Sequence, residues 1–254
     1  MSLDACAELV ARGDPDRFRA AMAAPLAARK VLLPIYAFNL EVARAPWVTH
    51  EPAIAEIRLQ WWRDALDEIA AGGEVRRHEV ASPLAGVLDA EAARVLDGLV
   101  AARRQDCYAE PFADAAEFRS YLDDTAGGLM WVAARALGAD DPAPVRAAGR
   151  AAGLAAFLLA LPELATRGRQ PLARLSPQAV NEVVREGLDD LAEARRGKAR
   201  IAPAARPALF AGWRAPALLA QAHAAPERIG RGALAESGLR NRSALLLASL
   251  RGMI

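Results

Sequence analysis

The side chains that could do chemistry in this chain of 254 residues are few and scattered. His50, His78 and His223 have no metal-ligand spacing and read as surface or capping groups. Cys6 and Cys107 are the only cysteines and read as reduced thiols, since two distant cysteines neither build a metal cluster nor demand a disulfide. No Gly-rich phosphate loop, Ser/His/Asp set or zinc motif is present. Asp123-Asp124 follows Tyr121 on a helical stretch. Adjacent residues on a helix point about 100° apart, so a single one of them could face a cavity, and an exposed acidic edge is expected. Asn39 is an unusual amide on an apolar helix. A buried amide needs partners, so it is either a cross-link to a neighbouring helix or a pocket group.

The elements that must position these groups are helices. Leu33, Tyr36, Leu40, Ala43 and Trp47 recur at steps of three and four, with Leu32, Ile35 and Val42 beside them. A helix apolar over most of its circumference is a central one. Pro34 is expected near its first turn or at a kink. In the next helix Leu59, Trp62, Leu66 and Ile69 form the core stripe, and Arg63 is expected to pair with Asp67 at i,i+4. Ala115 to Leu137 reads as one long helix, with Ala126-Gly127-Gly128 marking close helix contact or backbone approach to a ligand. Val145 to Leu161 reads as a small-residue helix ended by Pro162, and Asn241 to Ile254 as an amphipathic closing helix. No strand alternation and no 20–50-residue repeat is visible. The expectation is one all-α domain over residues 1–254.

Three stretches carry a family resemblance. "ARKVLLPIYAFNLEVAR" followed by "EIRLQWWRDALDEI" resembles the opening of the squalene/phytoene synthase superfamily. "YLDDTAGGLMWVAARALG" looks like its Tyr-containing Ala-Gly helix, and "AGRAAGLAAFLLALPELATRGRQPL" stands at the place of its second motif. Within the superfamily, "AFNLE" and "IRLQWW" are most similar to the degenerate branch of the mitochondrial complex I assembly factor and its bacterial relatives. The resemblance implies an isoprenoid-synthase-like helical bundle around a central cavity. It implies that Tyr36, Asn39, Trp47, Arg58, Trp62 and Tyr121 flank that cavity.

The catalytic members use two aspartate-rich motifs, each with carboxylates one helical turn apart, so that Mg²⁺ can bridge them to a diphosphate leaving group. Here the first motif falls on Ala43, Arg44 and Trp47, and the second on Ala160 and Leu164, with Gly153, Ala156 and Leu159 at neighbouring positions. None is a carboxylate. Arg44 reverses the local charge, opposing Mg²⁺, although it could meet a phosphate directly. No catalytic residue and no metal ligand is therefore expected, and Mg²⁺ only if prenyl-transfer chemistry survives.

Composition bounds the rest. A 54% hydrophobic content with 25% charged residues suits a globular protein with a substantial core. The N-terminal stretch lacks a basic region followed by an apolar one, so no secretory signal is expected. The most apolar run, Gly153 to Leu164, is shorter than the roughly 20 residues of a membrane span. A cytoplasmic protein is expected, peripheral to the inner membrane if the tail binds it. The whole chain is +1, and the stretch from Arg195 onward is +9, leaving −8 upstream. That basic tail either packs on the acidic body or offers a surface to an anionic partner such as a lipid headgroup layer. No nucleic-acid motif accompanies it. The expected role is a non-catalytic assembly or scaffold factor, in respiratory complex I biogenesis by resemblance, with a protein partner. The alternatives are a head-to-head prenyl diphosphate transferase, or a lipid- or prenyl-binding protein using the same cavity.

Overall fold

A computed structural model describes residues 3–49, 51–234 and 238–254; His50 and Glu236 lie outside the described residues. Two short helices open the chain, α1 (Leu3–Gly13) and α2 (Pro15–Ala23), the second started by the Asp14 side chain, which accepts from the Arg17 N–H. Cys6 and Val10 anchor α1 to the core, so this end is a packed helix. The central helix α3 (Leu26–Arg44) buries Leu32, Ile35, Tyr36, Phe38 and Val42, and a 3₁₀ turn (Ala45–Trp47) carries it to the surface. Pro34 lies inside α3, well past its first turn, where its ring removes one backbone hydrogen bond. In α4 (Pro52–Ala70) the stripe Leu59, Trp62, Leu66 and Ile69 is buried. Arg63, however, reaches across to Asp97 at 2.6 Å and leaves Asp67 exposed, because the neighbouring helix α6 (Ala90–Ala102) offers a carboxylate in bidentate geometry. A short α5 (Ala81–Ala85) precedes α6, which Asp89 caps.

The stretch expected as one long helix is divided. α7 (Ala115–Leu122) runs through a π turn (Asp123–Gly127) into α8 (Gly128–Arg135). The π turn lies against α9 (Pro142–Thr166), and the contact is tight. A Cβ on Gly149 would stand 2.6 Å from the Ala126 carbonyl oxygen, and one on Gly153 would stand 2.3 Å from the Ala126 Cβ. Asp123 is not an exposed edge: Arg146 and Arg150 of α9 both bond its carboxylate, at 2.5 Å and 3.0 Å, while Asp124 is exposed. α9 passes through Pro162 to Thr166 rather than ending there, and by length and composition it is apolar enough to cross a bilayer. In the fold it is a central element, packed by α8, by α10 (Pro177–Arg196) and by the π turn.

The chain closes with a 3₁₀ stretch (Arg206–Gly212), α11 (Ala215–Ala224), α12 (Glu227–Gly230) and α13 (Gly238–Arg251). Two tail arginines pair with acids of the body, Arg214 with Asp16 and Arg200 with Asp141. Others instead donate to main-chain oxygens at the C-terminal end: Arg195 to Ile254, Lys198 to Arg251. No strand occurs among the described residues. The architecture is an all-α, isoprenoid-synthase-like bundle enclosing a cavity.

Candidate functional site

The cavity of about 270 Å³ opens between the C-terminal half of α3, the segment 103–112, the π turn, α9 and the start of α2. Its apolar walls are one face of each helix. From α3 come Leu40 and Ala43, with Trp47 beyond; from α9 come Gly153, Ala156, Ala160 and Leu164, spaced by three and four residues, with Phe157 beside them. Ala156 and Ala160 are exposed because they face this open space rather than a neighbouring helix. A smaller chamber of about 120 Å³ shares Asp14, Arg17, Ala126 and Ala156 with the main cavity, and Tyr36 lines it.

The polar groups on the walls are mostly engaged with one another. Asp14 pairs with Arg17 at 2.5 Å, and Asp106 pairs with Arg103 at 2.9 Å. The Tyr121 hydroxyl donates to the Asp106 carboxylate at 2.9 Å and accepts from Arg103 at 2.6 Å. Burial pushes the Tyr121 hydroxyl far above its ordinary range, with Arg103 opposing and Asp106 adding, so it stays a neutral donor. For Asp14, burial favours the neutral acid, but the Arg17 charge and bonds outweigh it and hold the carboxyl below its usual value. Arg169 donates to the Asp106 main-chain oxygen and lies over the Trp47 indole, 5.1 Å from its centroid; Arg167 lies 4.8 Å from the same ring. Asn39 is buried, lines the cavity, and makes no side-chain hydrogen bond among the described residues. It is a pocket group, not a cross-link.

Of the residues expected around the cavity, Asn39, Ala43, Trp47, Tyr121, Ala156, Ala160 and Leu164 line it, and Tyr36 lines the inner chamber. Arg44, Arg58 and Trp62 do not. Arg44 and Arg58 are exposed on outer helix faces, and Trp62 packs edge-on against Phe38 and His78 in the core. One residue's step along α3 separates Ala43 from Arg44, and about 100° of helix rotation carries Arg44 out of the cavity. Asp14, Arg17, Arg103, Asp106, Phe112, Phe157 and Arg169 were not singled out as cavity residues, yet they line it. The available signal is the spacing of three in Asp14–Arg17 and in Arg103–Asp106.

These residues do not fit Mg²⁺. A site for it needs free carboxylates converging on a phosphate. The positions that should supply them are Ala43, Trp47, Ala160 and Leu164, and the cavity acids Asp14 and Asp106 are each held by a guanidinium.

A profile of the squalene/phytoene synthase family matches residues 10–175. The assembly factor 6 of NADH dehydrogenase (ubiquinone) complex I from Bos taurus is 24% identical over 179 residues, covering 65% of this chain and 50% of that protein. Its homolog from Drosophila melanogaster is 26% identical over 190 residues, covering 71% of this chain and 57% of that protein. The chain thus spans about half the length of these curated relatives. Among solved structures, a dehydrosqualene synthase in complex with ligand superposes with a TM-score of 0.75 at 15% identity, over 98% of this chain and 95% of that one, which is a likeness of fold. With a family profile matched over more than half its length, the chain belongs to the squalene/phytoene synthase family.

Proposed function

We propose that this protein is a non-catalytic member of its family that serves as an assembly factor in the biogenesis of respiratory complex I. The observation that carries the reading is the wall of the cavity: alanine, tryptophan and leucine stand where diphosphate chemistry needs carboxylates. The similarity to two complex I assembly factors supports the role. The test is deletion of the gene in its native cell. Membranes should lose NADH:ubiquinone oxidoreductase activity and fully assembled complex I on native gels, and a restored copy should recover both. An unchanged complex I level after deletion overturns the role. Turnover of a prenyl diphosphate by the purified protein overturns non-catalysis.

The same reading includes contact with a membrane. Leu246, Leu247 and Leu250 project outward from α13, at 59%, 44% and 74% exposure, and Leu250 shares a surface groove with Ala23–Pro25, Arg206 and Arg251. Lys198 and Arg206 bond internal main-chain carbonyls, and no carboxylate pairs with them among the described residues. Exposed leucines with Arg206 and Arg251 beside Leu250 suit an anionic bilayer surface, where each cation contributes about 1 kcal/mol. Flotation with phosphatidylglycerol vesicles should recover the protein at low salt, and the double substitution Leu246→Asp, Leu250→Asp should abolish it. Equal flotation of the variant would remove membrane contact from the reading.

A further inference from the structure

The cavity has the features of a ligand site that the assembly reading leaves unused. Its size lies near the lower end of small-molecule pockets, on the order of 300–1,000 Å³, and its long walls are apolar. It also contains a buried polar group with nothing to bond. Asn39 is 4% exposed, and neither its carbonyl nor its NH₂ meets a partner among the described residues. The Arg103 Nε is fully covered and has no partner, whereas the Asn39 amide opens onto the cavity. An amide that opens onto a largely apolar cavity without a protein partner favours a ligand that brings it an oxygen to bond.

The charge of the lining says which kind of oxygen. By residue the lining is balanced: Arg17, Arg103 and Arg169 stand with Asp14, Asp106 and, exposed at the rim, Glu110. Two of each are already paired with one another. The site holds no surplus positive charge, and an anionic head buried there would lack compensation. A hydroxyl or carbonyl head needs only what Asn39 offers, a donor and an acceptor.

We propose that this cavity binds an uncharged amphiphile, a single apolar chain ending in a hydroxyl or carbonyl oxygen, with the chain along the Ala156–Ala160 face of α9 and the head at Asn39. This rests on the non-catalytic reading, because a working diphosphate site would demand the opposite charge balance.

The experiment compares dodecanol with laurate, which share a chain length and differ in head charge, by titration followed through tryptophan fluorescence. Trp47 stands at the mouth as the reporter, and Trp47→Phe controls for the other four tryptophans. Dodecanol should bind saturably without Mg²⁺, with laurate about tenfold weaker or more. Asn39→Leu should weaken dodecanol by about two- to tenfold, the worth of one neutral hydrogen bond. Ala156→Phe fills the cavity from an open wall position and should abolish binding with the helical circular dichroism unchanged. Laurate binding as tight as dodecanol, or an Asn39→Leu variant of equal affinity, overturns the proposal. No saturable binding of either probe overturns it too, while leaving the assembly reading intact. Mg²⁺-dependent binding of farnesyl diphosphate in a parallel titration overturns both.

Discussion

The Tyr121 hydroxyl donates to both oxygens of Asp106, 2.9 Å from each, while Arg103 grips the same pair from the other side. This triad fixes the segment 103–107 to α7 across the cavity. It also occupies the Asp106 carboxylate, which is why that carboxylate is no metal ligand in waiting.

The triad should matter to stability. Asp106→Ala leaves the Arg103 guanidinium and the Tyr121 hydroxyl facing each other without their acceptor. Both are largely buried, so a loss of about 1–3 kcal/mol is expected. Tyr121→Phe keeps the ion pair and should cost about 1 kcal/mol. Urea denaturation gives both values, and equal midpoints for the two variants would contradict this ordering.

Two helical glycines should respond to alanine in opposite directions. At Gly149 a Cβ would stand 2.6 Å from the Ala126 carbonyl oxygen and 2.8 Å from the Gly127 Cα, both backbone atoms that cannot step aside. Gly149→Ala should therefore destabilise by about 1–3 kcal/mol, as overpacking does. Gly98 lies in the interior of α6 with nothing within 4 Å of its Cβ position. Gly98→Ala should stabilise by roughly 0.5–1 kcal/mol through helix propensity. Melting temperatures of the two variants check the contrast in one experiment.

Those glycines show what a sequence can and cannot convey here. The stripes of α3 and α4 were legible because a period of 3.6 residues writes the buried face directly into the apolar spacing. In the sequence, Ala126-Gly127-Gly128 signals close helix contact or approach to a ligand. The close contact is with Gly149 and Gly153, while Ala126 also lines the cavity. What periodicity does not encode is partner choice between elements. Arg63 had Asp67 one turn away and bonds Asp97 instead. Arg169 reaches the cavity from a loop, where no period exists to predict it. Pro162 looked like a helix end, yet neighbouring packing carries α9 through it. The alignment of Ala43, Trp47, Ala160 and Leu164 with a single cavity followed from resemblance, and spacing alone would not have joined α3 to α9.

The acid side of the stability curve should report on Asp123. Burial favours its neutral form, but the bonds and charges of Arg146 and Arg150 outweigh burial and hold the carboxyl below its ordinary value of 3.8. A depressed carboxyl contributes stability that is fully present above the unfolded value and is lost as pH falls through the folded one. Asp190, on the other side of Arg150, is raised by burial despite that arginine, so its ionisation works against the folded state. The acid-labile part of the network is therefore Asp123. Asp123→Asn should lower stability at neutral pH and flatten its fall below about pH 4. A variant that loses stability in parallel with the parent through that range would assign the acid sensitivity elsewhere.

The cysteines should be silent in the native state. Burial, with a smaller contribution from Glu79, pushes the Cys6 thiol up to about 11, and its Sγ lies 3.7 Å from the Glu79 carbonyl oxygen. Burial, with Asp106 and Glu56 adding, pushes Cys107 up to about 11 as well. The thiolate is the reactive form, so at pH 8 both groups are almost wholly protonated as well as covered. Ellman's reagent should label neither cysteine in buffer and both in urea, with native labelling limited by the opening of the fold. Cys107 sits beside Asp106, so Asp106→Ala, which loosens that segment, should speed its labelling selectively while Cys6 on α1 keeps the parent rate. Equal acceleration at both sites would mean that the triad's loss opens the whole bundle and not the cavity wall alone.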